Sequence, residues 1–311
     1  MSVKTGAGEV GDDWVAATAA AVGADGAALL ERMRSVVPAG YDELNWPNSA
    51  ALDLPVVDHL LRDGVDGQID TAMMHFDEAG EHQWRFRVYH RGRALAISDL
   101  LPLLDQIGFR SIDERSFEFA SAGASVWVHD VGVEVSDADL LYAGARDEVQ
   151  RLFAASFAGT VEVDGLNRLV LLAGLRIREV EVLRAYVRYL RQTGFPFSSQ
   201  YVESLLARQS GITGLLVQLF AARFDPADPV PSPERGSVER AAVLEALDSV
   251  PSLDDDRTLR SILALIDATV RTNVYRPGDG GGNRDVISFK FDSSKVPDLP
   301  LPRPMFEIWV C

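Results

Sequence analysis

The hydrophobic period changes once along this chain, near Ser136, and that change limits the architectures open to it. Before it, Trp84, Phe86 and Val88 alternate with Arg85, Arg87 and Tyr89, and Trp127, His129, Val131 and Val133 alternate with Asp130 and Glu134. A period of two marks strands of a sheet with one buried face. After it, residues 137–275 carry helical spacing, with candidate helices over 137–158, 165–173, 177–192, 199–209, 212–223, 237–249 and 255–273. In the last, Leu259, Ile262, Leu263, Ile266 and Val270 form one packing stripe against solvated Arg257, Arg260 and Asp267. The chain therefore divides into a sheet-forming part and a helical part.

In the first part, Trp14, Val15, Leu29, Leu30, Met33, Val36 and Val37, broken near 23–26, predict two short helices ended by Pro38. A further helix over 49–62 precedes a weaker strand over 68–77, the turn at Glu78, Ala79, Gly80 and Glu81, and the strand over 83–91. Ser98 is placed to cap a helix with Leu100, Leu101, Leu104 and Ile107 inward, Pro102 in its first turn and Gly108 as its stop. Strands over 109–119 and 125–135 follow, joined at Ser121, Ala122 and Gly123. The order helix, strand, strand, helix, strand, strand predicts an α+β fold. It is a ferredoxin-like antiparallel sheet with helices on one face, of the kind found in amino-acid-sensing ACT domains.

The expected division is a tail with helices over 1–39, an ACT-like α+β domain over 40–136, a mostly α-helical domain over 137–275 and the start of a further domain over 276–311. Residues 1–11 are small and polar and read as a frayed tail. Prolines 226, 229, 231 and 233 make 225–236 a stiff connector. Near the C-terminus, Ile287, Phe289 and Phe291 alternate with Ser288, Lys290 and Asp292, and Phe306 to Val310 form a second short strand. A strand there with no following element leaves backbone groups and apolar side chains without an evident partner, so continuation beyond residue 311 is expected.

Composition narrows the function classes. With 46 Asp plus Glu against 30 Lys plus Arg, the net charge of −16 disfavours nucleic acid as a partner. Cys311 is the one cysteine, which excludes an internal disulfide, a CxxC pair and a multi-cysteine zinc site. No apolar run approaches the ~20 residues of a membrane span, and no signal core opens the chain; a cytoplasmic protein is expected.

Candidate chemistry is sparse. The glycine-rich GDGGGN at 278–283 fails GxGxxG at Asn283 and precedes a strand, whereas a dinucleotide fingerprint opens a helix, so it reads as a loop. No GxxxxGK[ST] is present. His59, His75, His82, His90 and His129 lack metal-ligand spacing. His129 and Asp130, as strand neighbours, face opposite sides. Asp254 or Asp255 is expected to cap the helix that starts there. Arg184, Arg188 and Arg191 follow i, i+4, i+7 beside the apolar face Val180, Leu183, Val187 and Leu190, with Arg168, Arg176 and Arg178 nearby. That stripe reads as a solvated or inter-domain salt-bridging surface, or as an anion or protein contact. The lysines are Lys4, Lys290 and Lys295. No catalytic, cofactor-binding or metal-binding residue is assigned.

Four stretches carry a family resemblance: RALAISDLLPLLDQIGFRSIDERSFEF (93–119), LNRLVLLAGLRIREVEVLRAYVRYLRQTGFPFSSQYVESLL (166–206), RTLRSILALIDATVRTNVYR (257–276) and VISFKFDSSKVPDLPLPRPMFEIWV (286–310). They closely resemble the large multidomain NAD-specific glutamate dehydrogenases of bacteria. The likeness runs from about Trp14 to Val310. It implies an internal segment between N-terminal ACT-like regulatory domains and the catalytic core, with PDLPLPRPMFEIWV as the opening of that core and the parent polypeptide beginning upstream of Met1. The family's lysine-bearing substrate segment and dinucleotide domain come later, so no catalytic residue carries over; Lys290 and Lys295 do not match the catalytic lysines.

The resemblance thus implies a regulatory and scaffolding segment of an oxidoreductase that deaminates L-glutamate to 2-oxoglutarate with NAD. This chain would be inactive alone, with the remaining polypeptide as partner, a homo-oligomeric parent and an amino-acid effector. The alternative is a free-standing amino-acid-sensing or protein-interaction module.

Overall fold

A computed structural model describes residues 2–4, 10–75, 80–136, 138–227, 235–278, 281–282 and 284–311. The expected turn at Glu78 and Ala79 and most of the proline connector lie outside the described residues. The chain is α+β and forms two compact units, residues 1–139 with 150–162, and residues 140–149 with 163–311.

The first unit runs β1 (Ser2–Lys4), α1 (Asp12–Val22), α2 (Gly26–Met33), α3 (Tyr41–Leu44), α4 (Pro47–Asp63), β2 (Ile69–Met74), β3 (Gln83–Arg91), α5 (Ile97–Ile107), β4 (Arg110–Ser121) and β5 (Ala124–Glu134). The sheet order is β1-β4-β5-β3-β2. Every pairing is antiparallel except β1 with β4, which is parallel. The expected frayed tail thus contributes a strand at Ser2–Lys4. Pairing to a sheet edge draws on backbone groups that every non-proline residue carries, so a polar sequence does not prevent it. Ala122 (φ 48°) and Gly123 (φ 86°) supply the left-handed turn that closes the β4–β5 hairpin.

β3 and β5 have both faces buried, which corrects the expectation of helices on one face only. On one side Tyr89, Val126, Val128, Phe117 and Phe119 join a core with Leu29, Leu30 and Met33 of α2 and Leu54, Val57 and Leu60 of α4. On the other, the Phe86 ring lies 5.8 Å from Phe109 and 5.0 Å from Phe153 of α6 (Arg146–Phe157). Arg87 and Tyr89, expected on an open face, are therefore interior. α5 starts at Ile97 without a side-chain cap from Ser98, which leaves Pro102 beyond the first turn; Gly108 (φ 104°) ends it as expected.

The second unit contains α7 (Leu169–Ala173), α8 (Ile177–Gln192), α9 (Ser199–Arg208), α10 (Ser210–Phe224), α11 (Ser237–Leu247), α12 (Leu253–Ala268), β6 (Thr269–Thr272), β7 (Ser288–Asp292) and β8 (Phe306–Val310). The three strands form an antiparallel sheet ordered β6-β7-β8. Two expected helices are shortened. The one over 137–158 begins at Arg146 after a wide turn, Leu141–Ala145, in which Gly144 (φ 115°) is not helical. The one over 255–273 stops at Ala268, because 269–272 pair with β7, and Val270 stands half exposed instead of extending the stripe. Phe289 and Phe291 of β7 stack on Tyr186 and Tyr189 of α8, with ring centres 4.5 and 4.4 Å apart. Among the described residues, no single helix is long and apolar enough to cross a membrane.

Candidate functional site: the buried polar clusters

The densest buried cluster lies between α4 and the sheet. Register places Arg87 directly opposite Asp130, and α4 supplies Asp53 from above. Asp53 accepts hydrogen bonds from the Tyr41 hydroxyl, the Tyr89 hydroxyl (2.6 Å) and the Arg87 guanidinium. Arg87 Nη2 donates to Asn45 Oδ1 (2.7 Å), and its Nε lies 3.3 Å from Asp130 Oδ1. Arg85 completes the array, donating to Asp130 Oδ1 (2.8 Å), to the Asp130 carbonyl (2.8 Å) and to Asp113 Oδ1 (2.5 Å).

Charges removed from water must be balanced where they lie. Burial opposes the Arg87 cation, yet Asp53 and Asp130 outweigh it and hold the guanidinium well above its ordinary pKa. Burial likewise opposes the Asp130 anion, but Arg87 and Arg85 keep that carboxyl below its usual range. Burial together with Asp53 pushes the Tyr41 and Tyr89 phenols up. The hydroxyls, the guanidinium and both carboxylates are engaged with one another. Such an array clamps a helix to a sheet.

The second cluster sits on the opposite face and superficially has the members of a hydrolytic triad. Ser116 pairs across the strands with His129, and Glu114 lies one same-face position along β4. Connectivity decides against catalysis. The Leu95 amide donates to His129 Nε2 (3.1 Å), so Nε2 is an acceptor and the ring proton resides on Nδ1, 3.2 Å from Glu114 Oε1. The Ser116 hydroxyl also donates to Glu114 and faces the protonated nitrogen, 3.2 Å away. A general base must present an unprotonated nitrogen to the hydroxyl. Burial tends to raise the Glu114 carboxyl, but hydrogen bonds from His129 and Ser116 hold it low. As strand alternation requires, His129 and Asp130 belong to different clusters.

The remaining sequence candidates scatter. His90 Nδ1 lies 2.7 Å from the Arg93 carbonyl, and burial lowers its pKa. His59 is 3.5 Å from Asp63, and the His75 ring stands 5.0 Å from Trp84. The arginine stripe is not one surface. Arg184 is buried, donating to both Asp164 oxygens (2.6 and 2.9 Å) and to Asn167 Oδ1 (2.8 Å), while Arg188 and Arg191 are exposed. Arg176 pairs with Glu179 (2.6 Å) and Arg178 with Glu181 (2.9 Å).

Ser252, not Asp254 or Asp255, caps α12; its hydroxyl accepts from the Asp255 amide. Asp255 accepts from the Tyr201 hydroxyl (2.5 Å), and burial with that partner pushes the phenol up to about 12. Asp256 holds Arg260 (2.8 Å). Among the described residues no group of His, Cys, Asp and Glu is placed to hold a metal ion. Gly278, Gly281 and Gly282 turn the chain between β6 and β7, with the Gly278 amide donating to the Gly282 carbonyl. Lys290 lies 3.9 Å over the Phe306 ring, Lys295 is 3.8 Å from Asp292, and Lys4 ends β1.

Comparison with known proteins gives three successive family matches. Residues 68–146 match the glutamate dehydrogenase ACT3 domain, 161–226 its helical motif 3, and 242–311 the catalytic domain of bacterial NAD-glutamate dehydrogenase. The chain is 36% identical over 304 residues to an NAD-specific glutamate dehydrogenase of Halomonas elongata, covering 96% of this chain. It is 36% identical over 294 residues to that of Pseudomonas aeruginosa, covering 92%, and 33% identical over 307 residues to that of Mycobacterium tuberculosis, covering 96%. In each case it spans 18% of the relative's length.

Proposed function

We propose, from the premise that this chain is a segment of the large NAD-specific glutamate dehydrogenase family, that it supplies the enzyme with regulation and scaffolding and not with its reaction centre. One observation carries the reading: the ACT3, helical-motif and catalytic-domain matches succeed one another along the chain, while its buried charges are engaged in internal pairs. In this reading residues 40–136 are the ACT-like domain, 137–275 the helical domain and 276–311 the opening of the catalytic domain. The complete, homo-oligomeric, cytoplasmic enzyme converts L-glutamate, water and NAD to 2-oxoglutarate, ammonium, NADH and a proton, and an amino acid acts as effector at the ACT-like unit.

The coenzyme does not fit the glycine loop of this chain. Pyrophosphate binding needs amides converging at a helix N-terminus. Among the described residues of that loop, Gly278, Gly281 and Gly282 join two antiparallel strands.

Two measurements test the proposal. The purified chain with L-glutamate and NAD should give no NADH absorbance, and robust turnover would refute it. An effector at ~100 times its dissociation constant should add roughly 2.7 kcal/mol of stability, visible as a raised melting temperature. If no amino acid shifts the melt, the effector is removed and a scaffold remains.

A further inference from the structure

Residues 92–96 carry the chain from β3 into α5 as a short strap, and of these Leu95 alone is buried. Gly92 (φ 108°) turns the chain off β3, and its amide donates to the Ser125 carbonyl (2.8 Å). Two imidazoles hold the strap beyond it. His90 Nδ1 lies 2.7 Å from the Arg93 carbonyl, which can only accept, so Nδ1 carries a proton. The Leu95 amide, which can only donate, meets the lone pair of His129 Nε2 at 3.1 Å. His129 lies opposite Val88, which puts His90 one same-face position along β3 from that pair.

The two anchors respond differently to acid. Nδ1–H donates in the neutral and the cationic ring alike, so His90 keeps the Arg93 carbonyl in either state. Nε2 of His129 accepts only while it is unprotonated, and a proton there sets N–H against the Leu95 N–H. The surroundings direct the proton to His129. Glu114 is a largely buried carboxylate on whose Oε1 both the Ser116 hydroxyl and His129 Nδ1 converge, while its Oε2 is buried without a partner. Among the described residues no arginine or lysine forms an ion pair with it, so protonated His129 gives this anion a buried cation. The groups facing His90 are Arg93 of the strap and His129 of β5, which oppose a charge on it, and Asp66 of the turn after α4, which favours one. α6 presents the Phe157 ring to His90, and Trp127 stacks on His129. Each imidazole disfavours charge on the other, and Glu114 selects His129.

We propose that the strap over 92–96 is an acid-released latch, in which a solvent proton taken up at His129 Nε2 frees the Leu95 amide while His90 retains the Arg93 carbonyl. The strap then opens about Arg93 and lifts Leu95 from the sheet. This goes beyond the regulatory reading above and does not depend on it.

The test is amide hydrogen exchange of the purified chain between about pH 7.5 and 5.5, the range in which histidines change charge, corrected for intrinsic exchange rates. Opening linked to one proton lowers protection by up to about tenfold per pH unit, so the Leu95 amide should lose at least about tenfold while the β3–β5 ladder stays protected. Nitrogen NMR of the His129 ring reads the same event without a substitution: Nε2 should gain its proton at the midpoint where Leu95 opens. His129→Gln keeps a neutral acceptor for the Leu95 amide and should abolish the pH dependence. Glu114→Gln removes the anion and should move the opening to lower pH. Leu95 protection that is constant with pH, loss only together with the ladder, a His129 midpoint apart from that of Leu95, or an unaltered pH response in His129→Gln would each overturn the proposal.

Discussion

Replacing Asp53 by alanine tests whether the cluster under α4 is a balanced clamp. The substitution removes one of two carboxylates flanking Arg87 and the acceptor of the Tyr41 and Tyr89 hydroxyls. Removing one partner of a buried ion pair costs about 3–5 kcal/mol, and each orphaned hydroxyl about 1–3 kcal/mol. Asp130 and Asn45 still hold Arg87, and water entering the space can serve the phenols, so the sum is not reached. We expect a loss of about 4 kcal/mol, or roughly 8–16 °C in melting temperature for a unit of this size. Urea unfolding followed by the fluorescence of Trp84, buried on the far side of β3, reads the change. Arg87→Met on the Asp53→Ala background should return about half of the loss, because no uncompensated cation remains. Strictly additive single and double variants would refute the charge-balance argument.

Acid sensitivity follows from Asp130. Its pKa is held below the unfolded value of about 3.9, so its stabilising contribution is complete above that value and lost as pH falls through the lower folded one. The urea midpoint should drop on acidification below about pH 4, and Asp130→Asn should flatten that slope while lowering stability at neutral pH; an unchanged slope would exclude Asp130 as its source. Two glycines should respond with opposite signs. A Cβ on Gly26 would stand 1.9 Å from the Ala19 carbonyl oxygen, backbone against backbone, so Gly26→Ala should cost on the order of 3 kcal/mol by forcing α1 from α2. A Cβ on Gly214 meets nothing within 4 Å inside α10, so Gly214→Ala should gain up to about 1 kcal/mol from helix propensity, both read as urea midpoints.

The elements legible in the sequence are those whose periodicity and punctuation agree. Gln83–Arg91 is a strand to the residue, because its alternation is bounded on both sides. Residues 177–192 form α8 as their spacing requires, and Gly108 stops α5. β6 was hidden because Val270 falls in phase with the preceding helical stripe. Only pairing with β7, a contact made fifteen or more residues away, converts Thr269–Thr272 to strand. The polar clusters were hidden for a related reason. Ser116 and His129 become neighbours through strand register, and Asp53 reaches Arg87 only because α4 lies over the sheet. Spacing within one element carries no trace of either.

The arginine stripe shows where helical phase ceases to report environment. Arg184, Arg188 and Arg191 do share a face of α8, as their spacing demands, yet burial along that face is set by what lies over it. The one-turn segment Gly165–Arg168, with Asp164 capping its start, covers the N-terminal part of the face, and Asp164 with Asn167 takes the Arg184 donors. Beyond that cover Arg188 and Arg191 meet solvent. An anion-binding reading of the stripe needs its cations free together, and the first of them is already held by a carboxylate inside the unit. Arg87 follows the same pattern in the other unit, where two carboxylates and an amide share one planar guanidinium. In a chain with 46 acidic residues and 3 lysines, a buried carboxylate finds its partner in arginine, whose fixed fork of donors can satisfy several acceptors at once. Arg184, which opens the stripe that looked most like a binding site, is therefore, like Arg87, an arginine that holds its elements in place.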